Sequence, residues 1–535
     1  MSDNSKEEEA SVGVKATHVV ERVDNTDDVA GGFLARIAER DDADELLAPF
    51  TEEEERRLVR RKIDPIIMPL LQFAFMMAAV DKVCTGSAAV MGWRTDLHLV
   101  GQQYSWISSI LYFGSIVAVF PMILNMQSWP AGRYFAANTA VWGIILMASA
   151  AAKNFTGIMI ARFILGLFES IIFASSGIFV TMWWRRHEQP WRTAVIFSSL
   201  ASVTNGLLAY ACVRYKPGGI KQWQLLFLIV VLIKLLWSCV TFALLPDSPT
   251  TAWWLTTREK VIAVRRTEEN QTGMENKVLK KSQIIEAAVD PKTWFFFFVN
   301  IALSIPNGGL IGFGSIIVAS LGFSTPDTLL LAIPNGVISW LSSILFGFIA
   351  VKTKRRHATS MAACLVPLVG TVILHVVPRS NQSGSLAGLY ILYCYWGPYT
   401  TARPWLQFAC WTCGITLWFR KQVAGIMYAN TGGFSKKMTT FGTGYIGYCV
   451  GNLIGPQIFR SSEAPKYPSA VAGMLACYCV AIVLLACLWA YTVVLNKKKA
   501  LQLAEHEKAH GEFEDLIENW HDQTDFENPK FVYVT

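Results

Sequence analysis

Ionisable side chains interrupt otherwise apolar stretches of the chain, notably the adjacent Asp81 and Lys82 and the pair Arg162 and Glu169. A charged group at the centre of a bilayer-spanning helix costs on the order of 2.5 kcal/mol or more, so it faces a cavity or a partner. The spacing of Arg162 and Glu169 is close to two helical turns, which puts both on one face about 10 Å apart along the axis. A guanidinium offers a fixed donor fork that suits a carboxylate. Arg162 is therefore expected to bind a substrate carboxylate and Glu169 to load and release a coupling proton. The plainer alternative is a structural pair that holds this helix against a neighbour. Asp81 and Lys82 point about 100° apart on a helix, so they cannot share a face.

Polar residues recur at helical spacing in other apolar stretches: Asn300, Ser304 and Asn307; Ser198, Ser202 and Asn205; and Asn335 beside Pro334. These groups suit hydrogen bonding to a carboxylate or amide, with ordinary helix–helix bonding as the alternative. Pro306 with Gly308-Gly309 is expected to interrupt the backbone, since such breaks commonly line a cavity. Gly447, Gly451 and Gly455 make a small-residue strip for close packing, with Asn452 and Gln457 beside it. Tyr445 and Tyr448 either face the path or anchor a span end.

The elements that must position these residues follow from composition. Of 535 residues, 53% are hydrophobic and 16% charged, against roughly 25% charged in a soluble domain. The charges gather in two tails and one central segment, and apolar runs near the roughly 20 residues of a membrane helix fill the rest. Soluble, collagen-like, disordered and disulfide-scaffold classes are excluded. Spans are expected at 64–83, 105–125, 134–152, 156–182, 193–213, 225–245, 294–319, 328–351, 359–377, 386–401, 439–459 and 469–495. Residues 1–60 read as a disordered or weakly helical tail with solvated acidic runs, including Glu52 to Glu55. The N-terminal half is expected over 61–245, a charged middle loop over 246–292, the C-terminal half over 293–497 and a tail over 498–535.

Arg133, then Arg185, Arg186 and Arg192, then Lys352 to Arg356, then Lys436 and Lys437, with Lys497 to Lys499, all fall on one side. The positive-inside rule makes that side, and both termini, cytosolic. The sequons at Asn154 and Asn381 fall on the outer side and the one at Asn270 on the inner. Tryptophans near span ends, such as Trp106, Trp253, Trp254 and Trp294, fit an interfacial belt. The net charge of +7 reflects membrane orientation rather than nucleic-acid binding. Cys410-x-x-Cys413 lacks a second pair or histidines at zinc spacing, so no metal or redox role is expected. No G-x-x-x-x-G-K-[ST] loop, Ser-His-Asp constellation or cleavable signal peptide is visible, and neither enzymatic activity nor a cofactor is expected.

Six spans, a charged loop and six more is the major facilitator plan, an all-α membrane fold with a substrate path between two six-helix halves. Specific motifs narrow it. Pro246-Asp-Ser-Pro-Thr-Thr-Ala252, Asn270-Gln-Thr-Gly273, Glu275-Asn-Lys277, Asp290-Pro-Lys-Thr-Trp294, Ile305-Pro-Asn-Gly-Gly309 and Tyr445-Ile-Gly-Tyr-Cys-Val-Gly-Asn-Leu-Ile-Gly-Pro-Gln-Ile-Phe-Arg460 resemble the fungal allantoate permease-like branch of the anion:cation symporters. The resemblance covers residues 60–497 and implies uptake of a small carboxylate or related nitrogen compound or vitamin, such as allantoate, ureidosuccinate, pantothenate or nicotinate, usually with protons at the plasma membrane. An Asp-Lys or Asp-Arg pair is typical there, which implies a coupling or gating part for Asp81 and Lys82, each pairing across the two halves, with an interfacial anchor as the alternative.

Three departures accompany it. After span two only Gly132 and Arg133 remain of a longer basic signature, so the gate latch expected of them is weakened. Span four keeps Arg162, Gly166 and Glu169 but has Leu165 where some animal relatives carry a second acid. Residues 402–425 are an insertion before Ala429-Asn-Thr-Gly-Gly433, read as a translated intron or a lineage-specific insertion rather than an extra span. The expected function is proton-coupled symport of a small organic anion by a monomer in the lipid bilayer. Candidate substrate residues are Arg162, Asn205, Asn300, Asn307, Asn335, Tyr445 and Asn452; Glu169 and Asp81 couple the proton, and Lys82, Gly132 and Arg133 gate. The alternatives are a nutrient sensor on the same scaffold or a product inactivated by the insertion.

Overall fold

A computed structural model describes residues 29–185, 200–215, 218–268, 280–353, 355–378, 380–395, 430–510 and 524–527, with Glu188, Arg192, Ile196, Phe531 and Tyr533. Ser198, Asn270 and the insertion at 402–425 with Cys410 and Cys413 lie outside the described residues. The described helices follow the expected spans in order: α1 Asp64–Val90, α2 Gln103–Ser128, α3 Ala131–Ala151, α4 Phe155–Trp183, α5 Ala201–Arg214, α6 Gln222–Leu244, α7 Pro291–Ala319, α8 Ile333–Thr353, α9 Arg356–Val376, α10 Gln382–Leu392, α11 Phe434–Ile454 and α12 Pro468–His510. Among the described residues, nine helical stretches are long and apolar enough to cross a membrane. The outward flanks of α6 and α9 expose Leu232, Leu236, Val240, Leu365, Val369 and Val372, a surface suited to lipid.

Local sequence sets the helix ends. Asn154 accepts from the Gly157 N–H to cap α4, and Asp290 accepts from Lys292 N–H with Pro291 in the first turn of α7. The glycine strip at Gly447, Gly451 and Gly455 permits close approach of α11 to α7. A Cβ on Gly447, Gly451 or Gly455 would lie 2.6, 2.6 or 2.4 Å from the carbonyl oxygens of Phe297, Ile301 or Ile305 on α7. Packing is thus what these glycines supply.

Three expectations are corrected. First, α1 does not end at Asp81-Lys82 but continues to Val90. Thr85, Gly86 and Ser87 lower its apolar character without ending it, because they are buried between α5 and α7: Asn205 donates to Ser87 Oγ at 2.7 Å, and a Cβ on Gly86 would lie 3.2 Å from the Gly312 carbonyl. Second, α7 runs unbroken through Pro306. Burial on the α1 and α11 sides holds its course although the proline removes one backbone bond. Third, the described part of the N-terminal segment forms helices rather than a disordered tail, and although Glu52, Glu53 and Glu54 are exposed as expected, Glu55 is not. Thr51 and Glu54 form a capping box at Glu52–Leu58, Glu55 is buried against Arg266 at 3.0 Å and Arg185 at 3.1 Å, and Lys62 pairs with Glu259 at 2.6 Å. Glu54 and Glu55 supply counter-charges to Arg258 and Arg266 of the middle-loop helix Thr257–Glu268.

Candidate functional site

The charges left inside the bundle converge on one place. Asp81 and Lys82 of α1, Arg162 and Glu169 of α4 and Lys234 of α6 are all 9% exposed or less. Lys82 Nζ lies 2.6 Å from Glu169 Oε1. Asp81 takes three partners: the Trp142 indole N–H of α3 donates to Oδ2 at 3.1 Å, Lys234 donates to the same oxygen at 3.0 Å, and Arg162 Nη1 stands 3.6 Å from Oδ1. The Lys234 ammonium sits 3.4 Å from the Trp142 ring centroid, in cation–π range. The 100° offset between neighbours on α1 thus sends Asp81 toward α3, α4 and α6 while Lys82 meets Glu169.

These pairings correct the expectation that Asp81 and Lys82 reach across the two halves. Their ion-pair partners Arg162, Glu169 and Lys234 stand on α4 and α6, in the same half. Lys82 is buried and does not snorkel to a surface. Lys234 and Trp142 are absent from the sequence-based set. A lone lysine in the run 225–245 satisfies the same criterion as Arg162, so the signal was there.

Arg162 and Lys82 border a cavity with Thr85, Ser108 and Tyr112, closed opposite by Gly308 and Gly312 of α7. Its wall is therefore drawn from both halves. Arg162 Nε and Nη2 are buried without a hydrogen bond, a state that a native site explains by a missing partner. The cluster holds three cations against two carboxylates, an excess of one positive charge. Above it, α2 is bonded to the other half: Tyr104 Oη donates to the Gly312 carbonyl at 2.6 Å and Ser109 Oγ to the Leu453 carbonyl at 2.7 Å. Gln457 Nε2 donates to Ser109 Oγ at 3.0 Å. These contacts seal the end of the bundle opposite the basic connections.

The remaining candidates do not line this cavity. Asn205 joins α5 to α1, accepting from Cys84 Sγ at 3.0 Å and donating to Ser87. Asn307 Nδ2 donates to Asn452 Oδ1 at 2.7 Å, tying α7 to α11, and Asn452 donates to the Tyr448 carbonyl at 2.8 Å. Asn300 is buried where α7 meets Gly447, Asn335 is buried on α8, and Tyr445 packs on Tyr448 at 5.9 Å between centroids. Tyr448 in turn meets Tyr112 of α2 edge-on at 6.0 Å. Gly132 and Arg133 sit at the corner where α6 enters the middle loop. A Cβ on Gly132 would lie 2.5 Å from the Leu245 carbonyl, and Arg133 reaches Asp247 at 3.3 Å. This latch holds one half together, and its mostly exposed arginine makes the ion pair a weak one.

A second charged cluster lies at the basic end, under the chain's last residues. Asp525 accepts from Lys292 of α7, from Lys436 of α11 at 2.8 Å, from Gly432 N–H at 3.1 Å and from Tyr533 Oη at 2.8 Å. Burial works against charge on Asp525, but Lys292 and Lys436 outweigh it and hold the carboxyl below its usual range. A depressed carboxyl stabilises the fold fully above the unfolded value of about 4, and that contribution fades as pH falls through the folded value. Asp525→Asn is accordingly expected to cost about 3 kcal/mol at pH 7, as removal of one partner does in buried pairs. Thermal melting of the purified protein checks this: the gap between wild type and variant should narrow below about pH 4, and equal melting at pH 7 contradicts the assignment.

The model of the Major Facilitator Superfamily matches residues 71–456. An MFS-type transporter of Penicillium expansum is 35% identical over 511 residues, covering 95% of this chain and 93% of that protein. The allantoate permease of Saccharomyces cerevisiae is 33% identical over 503 residues, covering 90% and 87%. A bacterial homologue of the human lysosomal transporter Spinster, solved inward-facing and occupied, superposes with a TM-score of 0.54 at 11% identity, covering 79% of this chain and 95% of that one. The xylose transporter of E. coli, solved partially occluded and inward open, gives 0.53 at 12% identity, covering 78% and 95%.

Proposed function

The chain belongs to the major facilitator superfamily and is a multi-pass membrane transporter, and from that premise we propose that it takes up a small organic anion together with protons. The observation that carries this reading is Arg162, which lines the cavity, has two buried donors unbonded and belongs to a cluster of three cations and two carboxylates. A carboxylate there would supply the missing acceptor and balance the excess charge. The relative named allantoate permease supports allantoate as the substrate, and the motif resemblance adds ureidosuccinate, pantothenate and nicotinate as candidates.

Alternating access follows from the seal. The bonds from Tyr104 and Ser109 to α7 and α11 part to open the cavity on one side and re-form to close it. The basic connections support a cytosolic position for the opposite end, both termini and the middle loop; the same reading takes the protein as a plasma-membrane monomer with the proton as coupling ion and no cofactor. Radiolabelled uptake of the four acids in a permease-deficient host at two pH values tests the reading. Greater accumulation of one of them at the lower external pH supports it. Correct surface expression with no uptake of any would favour a sensor on the same scaffold.

A further inference from the structure

We propose that Lys234 is a positioning residue that restrains Asp81 and so keeps the Arg162 fork open to the cavity. The proposal rests on the reading of Arg162 as the anion receptor and assigns the cause of its availability. A carboxylate and a guanidinium at close range form a two-bonded, fork-on-fork pair. Asp81 and Arg162 do not: their nearest approach is 3.6 Å, one oxygen to one nitrogen, and both Nε and Nη2 of Arg162 are left without an acceptor.

What prevents the pair from closing lies on the other side of Asp81. Its Oδ2 is taken by Lys234 at 3.0 Å and by Trp142 at 3.1 Å. Lys234 is itself fixed over the Trp142 ring, 3.4 Å from the centroid, so ammonium, indole and carboxylate lock one another. The restraint also sets the charge: without Lys234 the cations Lys82 and Arg162 would only equal the carboxylates Asp81 and Glu169. The excess that favours an anion would be gone. Lys234 does not itself line the cavity and is bonded to Asp81, so it acts at one remove.

Reaction of Arg162 with phenylglyoxal, read by peptide mass spectrometry on the purified full-length protein, tests this, with uptake of radiolabelled allantoate measured in parallel. Wild type is expected to label at Arg162, which is buried here, as the bonds of Tyr104 and Ser109 part and admit the reagent. Lys234→Met, which keeps an unbranched stem beside Trp142, should lose most of that labelling as Asp81 closes on Arg162, and its KM for allantoate should rise about tenfold or more, the loss of roughly one charge-assisted bond. Lys234→Met/Asp81→Asn restores the charge excess and removes the competing carboxylate, so labelling and KM should return toward wild type. A merely structural lysine would give no such rescue. Absence of labelling in wild type, unchanged labelling in Lys234→Met, or a double variant no better than the single one overturns the proposal. Normal labelling and rescue with no uptake of allantoate or the other acids would instead contradict the transport reading while leaving this one intact.

Discussion

Replacing Arg162 by lysine should raise the KM for the transported acid by roughly 30- to 100-fold while leaving the rate at saturation within reach of wild type. The substitution keeps the charge and removes the fork. An arginine that gives Nε and Nη2 to one carboxylate makes two charge-assisted bonds in a fixed plane, and a lysine gives a point charge that re-forms one. The bond lost is worth about 2–3 kcal/mol, which converts to that range of affinity. The neighbouring Asp81 should stay in place in the variant, because Lys234 and Trp142 hold it independently of Arg162. Initial-rate uptake against substrate concentration checks the split. An unchanged KM would mean that the two unbonded donors do not receive the substrate.

Glu169→Gln is the second large effect. Its carboxylate has a single ion-pair partner, Lys82 at 2.6 Å, whereas Asp81 is held by Trp142, Lys234 and Arg162. Among the described residues Glu169 thus has one ion-pair partner against two for Asp81, and we propose Glu169 as the group that carries the proton. When Glu169 is neutral, Lys82 at the cavity edge loses its counter-charge, which strengthens the field for an incoming anion. An electroneutral symporter accumulates about tenfold per unit of pH gradient. Glu169→Gln should fall to the equilibrium ratio at any gradient while substrate counterflow persists, since glutamine mimics the protonated state. Gradient-driven accumulation by the variant would remove Glu169 from coupling.

The sequence carried the architecture and part of the site, and the division has physical reasons. Spans are legible because apolar length is local, and the described helices follow the twelve expected places in order. Arg162 and Glu169 are legible because lone charges in an apolar run are costly anywhere. Lys234 meets the same criterion, but its partner Asp81 is 153 residues away, and nothing in either segment announces the pairing. Asp81 and Lys82 read as a span end because Thr85, Gly86 and Ser87 depress the local apolar character. In the fold that stretch is interior to protein rather than interfacial, so the polar residues are satisfied by α5 and the helix goes on.

The asparagines divide in the same way. Helical spacing places Asn205, Asn307 and Asn452 on inward faces, but spacing cannot distinguish a face that meets a substrate from one that meets another helix. Here each is engaged by a neighbouring helix or by its partner asparagine. The acidic run before α1 reads as solvated, and residues 498–535 as no more than a tail, because charge in sequence does not announce its partner. Their counter-charges, Arg266 for Glu55 and Lys436 with Lys292 for Asp525, stand far away in sequence.

If an excess of buried positive charge at Arg162 selects an anion, the acid and amide forms of one compound are handled differently, whereas general permeability would treat them alike. Purified protein in proteoliposomes with an alkaline lumen is supplied with nicotinate or nicotinamide, pantothenate or its amide, and allantoate or its amide. For at least one pair the acid should accumulate above its equilibrium level and the neutral amide should not, with the difference lost in Arg162→Ala. Equal accumulation of acid and amide in every pair, or acid accumulation that survives Arg162→Ala, would contradict the account.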